Sequence, residues 1–111
     1  MKVRVRGLTL ELDEALKEHA QRRVLFALGR FSARLDGVEV RLHDANGPRG
    51  GPDKVCHMLA RLQRWGAVRV EETDADAFAA VARAAERLGR GVAREVERRR
   101  ESRGAAGLAR A

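Results

Sequence analysis

Five arginines recur at spacings of three and four residues late in the chain: Arg83, Arg87, Arg90, Arg94 and Arg98. On a helix of about 100° per residue they share an arc of roughly 80°, with Glu97 just outside its edge and Glu101 within it but beyond the last arginine of the row. Guanidinium groups in a row bind rather than transform, because each presents a planar fork of donors that matches a phosphate or carboxylate. The same stretch carries Phe78, Val81, Ala85, Leu88, Val92 and Val96. These fall in a second arc of about 80°, centred about 200° from the first. One face is for packing and the other is for something acidic. With the glutamates mostly outside the arc, (i, i+4) neutralisation is expected to be sparse, and a nucleic-acid or other polyanion surface is the first reading.

No other residues assemble into a catalytic set. His19 falls on a helix, and His43 and His57 fall on outward strand positions. Those two could be neighbours across a hairpin and, with Asp44, form a weak metal or acid–base site, but a further matched ligand is missing. Cys56 and His57 are adjacent in a strand and point to opposite faces, so Cys56 is expected buried and inert. The stretch Gly47-Pro48-Arg49-Gly50-Gly51-Pro52 leads to no helix N-terminus where a phosphate would sit, and reads as a long hairpin connection. Trp65 either covers one end of the core or stacks on a nucleobase. With no tyrosine and three phenylalanines, the sheet lacks the aromatic platform of many RNA-binding sheets, so recognition is expected through backbone charge and shape. The chain therefore reads as a non-enzyme, with no catalytic residues, metal, cofactor or small-molecule substrate.

The 111 residues carry a formal charge of +7, which points to an acidic partner. Twenty arginines stand against three lysines, a ratio that suits bidentate phosphate contacts and that a GC-rich genome would also produce. A chain this long builds one core. No apolar run approaches the 18 or so residues of a membrane span, and no signal-peptide pattern is present, so a soluble cytoplasmic protein without membrane contact is expected. A single cysteine fits a reducing compartment.

The elements that must position the arginines follow from periodicity. Residues 1–6 alternate, with Val3 and Val5 on one face and Lys2, Arg4 and Arg6 on the other. Asp13 is a plausible cap for a helix from about Glu14 to Phe31, buried through Leu16, Ala20, Val24, Ala27, Leu28 and Phe31, with Arg22, Arg23 and Arg30 off its centre. Asp36-Gly37 reads as a turn before a strand through Val38, Val40 and Leu42. A third strand, Lys54 to Leu62, would turn Cys56, Met58, Ala60 and Leu62 inward and Val55, His57, Leu59 and Arg61 outward. After a short turn at Gln63–Gly66, Val68 and Val70 face the core in a fourth strand. The arginine-striped helix follows, opened by Asp74 or Asp76, and residues 104–111 have too little to bury and read as a disordered tail. The expected fold class is α+β: a two-layer β-α-β-β-β-α domain over residues 1–103, with both helices packed on one face of a four-stranded sheet.

With that order in hand, the chain resembles the ribosome hibernation-promoting factor family, which includes the ribosome-associated inhibitor and is also known as the sigma-54 modulation proteins. The resemblance covers roughly residues 1–100. It rests on the opening strand, on LDEALKEHAQRRVLFALGRF, and above all on DADAFAAVARAAERLGRGVAREVERR. The last stretch is similar to the family's Asp-x-aromatic-x-Ala-Ile opening, with Asp76, Phe78, Ala80 and Val81 at the matching positions. The resemblance implies a small cytoplasmic protein that occupies the mRNA and tRNA channel of the small ribosomal subunit and holds idle ribosomes inactive. It also implies that Arg87, Arg90, Arg94 and Arg98, with Arg22, Arg23 and Arg30, contact rRNA phosphates; the helical wheel adds Arg83.

Three departures from the family pattern matter. Gly89 and Gly91 replace long polar residues, so a kink or a close approach of backbone to RNA is expected there. The chain stops without the dimerising domain of long members, so it is not expected to pair ribosomes through one. Its tail is not acidic like that of the ribosome-associated inhibitor, which makes the short promoting-factor branch the nearer match. Two alternatives stay open: a general double-stranded RNA binder, and a protein-interaction module modulating transcription. The outward Val55 and Leu59 suggest a weak homodimer through the sheet as a further possibility.

Overall fold

The computed structural model describes residues 1–8, 12–45, 53–64 and 66–110, with side chains to Arg100. The glycine-rich stretch 47–52 and Trp65 lie outside the described residues, so the readings made of them do too. The element order is β1 (Lys2–Gly7), α1 (Glu14–Leu28), a 3-10 turn (Gly29–Arg34), β2 (Leu35–Asp44), β3 (Lys54–Leu62), β4 (Ala67–Asp74) and α2 (Ala77–Arg110). The strands lie side by side in chain order. β1 runs parallel to β2, and β2, β3 and β4 are successively antiparallel. Both helices cover one face, as the single apolar stripe on each requires.

The core is the meeting of those stripes. Leu16, Ala20, Val24 and Leu28 of α1 and Val81, Ala85, Leu88, Val92 and Val96 of α2 close over Val38, Val40, Leu42, Cys56, Met58, Ala60 and Leu62 of the sheet. Val3, Val5, Val68 and Val70 pack at its edges. Burial pushes the Cys56 thiol up to about 12, so it stays protonated and inert at neutral pH. Asp13 caps α1 by accepting from Leu16 N–H at 2.7 Å.

Five local expectations are corrected. Asp36-Gly37 is not a turn before the strand but an irregularity within it: the register shifts between Leu35 and Gly37, so Leu35 returns to the core while Val38, Val40 and Leu42 keep their inward phase. Gly37 suits that place because a Cβ there would lie 3.2 Å from the Lys2 carbonyl oxygen. The first helix ends at Leu28 and tightens into 3-10 geometry instead of continuing to Phe31, as helix C-termini often do. Val55, expected outward and free, is buried although it stands outside the main core cluster. Phe78, expected in the core, is 39% exposed and packs on the His19 ring at 4.9 Å instead. α2 is also helical in backbone to Arg110, beyond the end at Arg103 that composition suggested. An alanine-rich continuation propagates a helix that tertiary packing has already nucleated. The overhang sets the long axis, 62 Å against 22 and 18 Å across.

The two unexpected glycines have a packing reason. A Cβ at Gly89 would stand 3.1 Å from the carbonyl oxygen and 3.2 Å from the Cβ of Ala27, so α1 and α2 touch here almost backbone to backbone. At Gly91 a Cβ would be 2.7 Å from Val68 Cγ1 of β4. The close approach that these glycines allow in the structure is to the protein's own α1 and β4. Gly91→Ala should therefore lower stability by about 1 kcal/mol: overpacking costs about 1–3 kcal/mol and the gain in helix propensity returns about 1. Urea denaturation checks this, and a stabilised variant would contradict the contact.

Candidate nucleic-acid interface

The N-terminus of α2 is built by two carboxylates. Asp74 Oδ1 accepts from Asp76 N–H at 2.9 Å, and Asp76 accepts from Phe78 N–H at 2.9 Å through its side chain and from Ala80 N–H at 3.1 Å through its carbonyl. His19 Nε2–H donates to the Phe78 carbonyl at 3.1 Å, so α1 is tied to the same point. His19 thus has a structural partner.

The arginine row divides by what each side chain touches. Arg83 donates to Asp74 Oδ2 and to the Thr73 carbonyl, both at 2.8 Å, and Arg87 donates to the Glu71 carbonyl at 2.9 Å and to Glu72 Oε1 at 3.0 Å. These two staple α2 to β4. Arg90 pairs with Glu86 at 3.0 Å, and Arg98 donates to both oxygens of Glu95 at 2.8 and 2.9 Å. Neutralisation along the row is therefore denser than the wheel predicted, because the partners come from β4 and from (i−4) and (i−3) positions off the arc. Among the described residues Arg94 forms no ion pair. The pairs of Arg90 and Arg98 are solvent-exposed and each worth about 0–1 kcal/mol, so a phosphate can replace the carboxylate.

Arg90 and Arg94 form one wall of a groove of about 760 Å³ between the helices, and Arg23 of α1 with Arg30 of the following 3-10 turn form the other. Its floor is Ala27, Ala85, Gly89 and Ala93, residues small enough to let a ligand backbone come close. Glu86 is the one carboxylate in the lining, against four guanidinium groups. Phe26 stands at the lip, 88% exposed. Of the eight arginines singled out from sequence, the groove brings together Arg23, Arg30, Arg90 and Arg94. Arg22 is exposed on α1 outside the lining, Arg83 and Arg87 lie towards β4, and Arg98 lies further along α2 beside a second hollow shared with Gly91 and Val68. Arg30 also lies over the Phe31 ring at 4.6 Å, which fixes its stem. Phe26 and the small-residue floor escaped sequence reasoning. The signal for Phe26 was a large apolar residue off the buried stripe, flanked by Arg22, Arg23 and Arg30.

Elsewhere His43 and His57 do come together, stacked at 5.3 Å, but His57 faces Glu71 at 3.4 Å while Asp44 is held by Lys54 at 2.9 Å. Among the described residues no three His, Cys, Asp or Glu side chains are arranged to hold a metal, and no helix is long and apolar enough to cross a membrane.

The Asp74 carboxyl is held below its ordinary range, first by the Asp76 N–H and then by Arg83. Its folded value is lower than its unfolded one, so this contribution to stability is present above the unfolded value near 3.9 and is lost as pH falls through the folded value below it. Arg83→Gln should raise the Asp74 titration midpoint towards the ordinary value in an NMR titration of the side-chain carboxyl. An unmoved midpoint would contradict the staple.

Two solved structures share this architecture. The N-terminal domain of Thermus thermophilus Protein Y is 31% identical, with a TM-score of 0.69 over 85% of this chain and 98% of that one. A ribosomal subunit interface protein from Coxiella burnetii aligns with a TM-score of 0.71 over 87% of this chain and 99% of that one, at 12% identity, which speaks to the fold alone. No curated protein matches the chain significantly. The family described as Sigma 54 modulation protein / S30EA ribosomal protein matches residues 3–100. With nearly the whole described domain inside that match, the chain belongs to the Sigma 54 modulation protein / S30EA ribosomal protein family.

Proposed function

We propose that this protein binds the small ribosomal subunit by laying rRNA backbone in the α1–α2 groove, and that it keeps idle ribosomes inactive by occupying the mRNA and tRNA channel. The observation that carries the reading is the groove itself: four arginines from α1, the 3-10 turn after it and α2 converge over a floor with no large side chain. Membership of a family described as S30EA ribosomal protein supports the ribosomal target. The action is steric, with affinity from arginine–phosphate contacts and with no chemical step. Arg90 and Arg94 would bind phosphate on one side and Arg23 and Arg30 on the other. Arg22 and Arg98 would extend the contact along the two helices. Arg83 and Arg87 would hold α2 in place and add charge at its start.

Phosphate contact makes the complex salt-dependent, with log K falling by about one unit of slope for each phosphate neutralised. Arg90→Gln with Arg94→Gln should weaken binding to purified small subunits and reduce the salt slope by about two, measured by sedimentation across a salt series. An unchanged slope would remove the groove from the account. Excess duplex RNA in the same experiment separates a ribosomal target from general double-stranded RNA binding, since only a general binder is displaced.

Phe26 is the natural stacking partner for a base held at the lip of the groove. Phe26→Ala should cost about 1–3 kcal/mol of binding and leave thermal stability unchanged, because the ring buries almost nothing in the free protein. Full-affinity binding by this variant would exclude stacking.

A further inference from the structure

Three properties of the α1–α2 groove go beyond what a strand of RNA requires. Its volume of about 760 Å³ lies within the range of about 300–1,000 Å³ that holds single small molecules. Its charge is concentrated. Arg23, Arg30, Arg90 and Arg94 meet in one hollow with Glu86 as the one carboxylate in the lining, and Glu86 is already paired with Arg90 at 3.0 Å. A nucleic-acid strand brings one charge per nucleotide, whereas a polyphosphate chain brings several within the same hollow, which is what four converging guanidinium groups match. The hollow is also preformed. The near-contact of Gly89 with Ala27 fixes its floor, Arg30 is steadied over the Phe31 ring at 4.6 Å, and Arg90 is held by Glu86, so little order has to be gained on binding. Beside the cations stand Phe26, 88% exposed, and the apolar surfaces of Ala27 and Ala93. A solvated aromatic ring at the rim of a cationic hollow suits a flat heterocycle joined to phosphates.

We infer that the groove is a binding site for one free nucleoside polyphosphate, with the phosphate chain between Arg23 and Arg30 on one wall and Arg90 and Arg94 on the other, and the base against Phe26. Neither end suffices alone. Stacking on a single exposed ring gives little affinity without the charge, and solvent-exposed arginine–phosphate contacts without the base are screened by salt. An acidic protein segment fits less well, since each carboxylate carries one charge where a phosphate chain carries several, and it presents no flat ring to Phe26. A nucleotide in the groove occupies the same four arginines as RNA backbone, so it acts as a competitive release signal. That regulatory consequence rests on the ribosomal reading; the binding itself does not.

The test is equilibrium dialysis of the full-length protein, without ribosomes, against ATP, GTP, AMP and inorganic tripolyphosphate at physiological salt. The expected result is saturable binding of one ATP or GTP per chain, with AMP and tripolyphosphate each weaker by about tenfold or more. Phe26→Ala should weaken ATP binding about tenfold and leave tripolyphosphate unchanged. Arg23→Gln/Arg94→Gln, whose guanidinium groups have no ion pair to lose among the described residues, should weaken both ligands, and thermal melts verify the fold of each variant. Tripolyphosphate bound as tightly as ATP, AMP bound as tightly as ATP, or no saturable binding of any nucleotide would each overturn the proposal, as would ATP binding that neither variant changes. A second titration, with purified small ribosomal subunits, separates this inference from the ribosomal reading. ATP at about ten times its own Kd should raise the apparent Kd for subunits about tenfold. Subunit binding that is lost in Arg23→Gln/Arg94→Gln, beside no ATP binding by wild type, overturns the nucleotide site and leaves the groove reading standing. ATP bound through these residues with subunit affinity unchanged supports the nucleotide site and removes the groove from the ribosomal account.

Discussion

The near-contact of two backbones at Gly89 and Ala27 is the constraint on which the rest of the structure depends. It fixes how closely α2 lies against α1, and therefore how deep the groove between them is and how far apart its arginine walls stand. The apolar stripes of both helices would bury themselves on the sheet in any case, since that is how two amphipathic helices and a one-sided sheet exclude water. Burial alone, however, does not set the spacing of two helices within a layer. A side chain at residue 89 would push them apart, raise the floor and turn a groove into a filled seam. Gly91 performs the same service against β4, so one turn of α2 is pressed both on its neighbouring helix and on the sheet edge.

Around that point the polar interactions divide into those that hold the helix and those that remain available. Asp74, Glu72 and the β4 carbonyls occupy Arg83 and Arg87, while Asp76 satisfies free N–H groups at the start of α2. Further along, the pairs become exposed, and at Arg94 no ion pair is present among the described residues. The row of arginines thus combines structural staples at Arg83 and Arg87, exposed pairs at Arg90 and Arg98 and an available cation at Arg94, although all five have the same side chain and the same helical phase. Exposed ion pairs contribute little to stability, so using those cations on a ligand costs the fold little.

Much of the architecture was legible in the amino-acid sequence because each element has a single strong period. The alternation at Val3 and Val5, the stripe from Val81 to Val96 and the cap at Asp13 all stand where their patterns put them. What the sequence could not show were contacts between elements. A one-residue slip at Asp36 looks like a turn because Asp-Gly has the chemistry of one, and only the pairing with β1 and β3 reveals a strand. Phe78 shares the core phase of α2 but lies at its first turn, where His19 is available and the sheet is not. Gly89 and Gly91 read as weaknesses in a helix until the atoms they admit are seen. The candidate site was legible in half: the wheel finds the arginines, but it cannot tell Arg87, which is spent on β4, from Arg94, or connect Phe26 of α1 with the wall contributed by α2.

The central claim is that RNA lies between the two helices. A cryo-electron-microscopy reconstruction of the full-length protein on isolated small subunits tests it most directly. The account predicts an rRNA strand running along the α1–α2 groove, with phosphates within hydrogen-bond reach of Arg23, Arg30, Arg90 and Arg94. A complex in which that groove opens onto solvent, or is filled by a ribosomal protein, would contradict it.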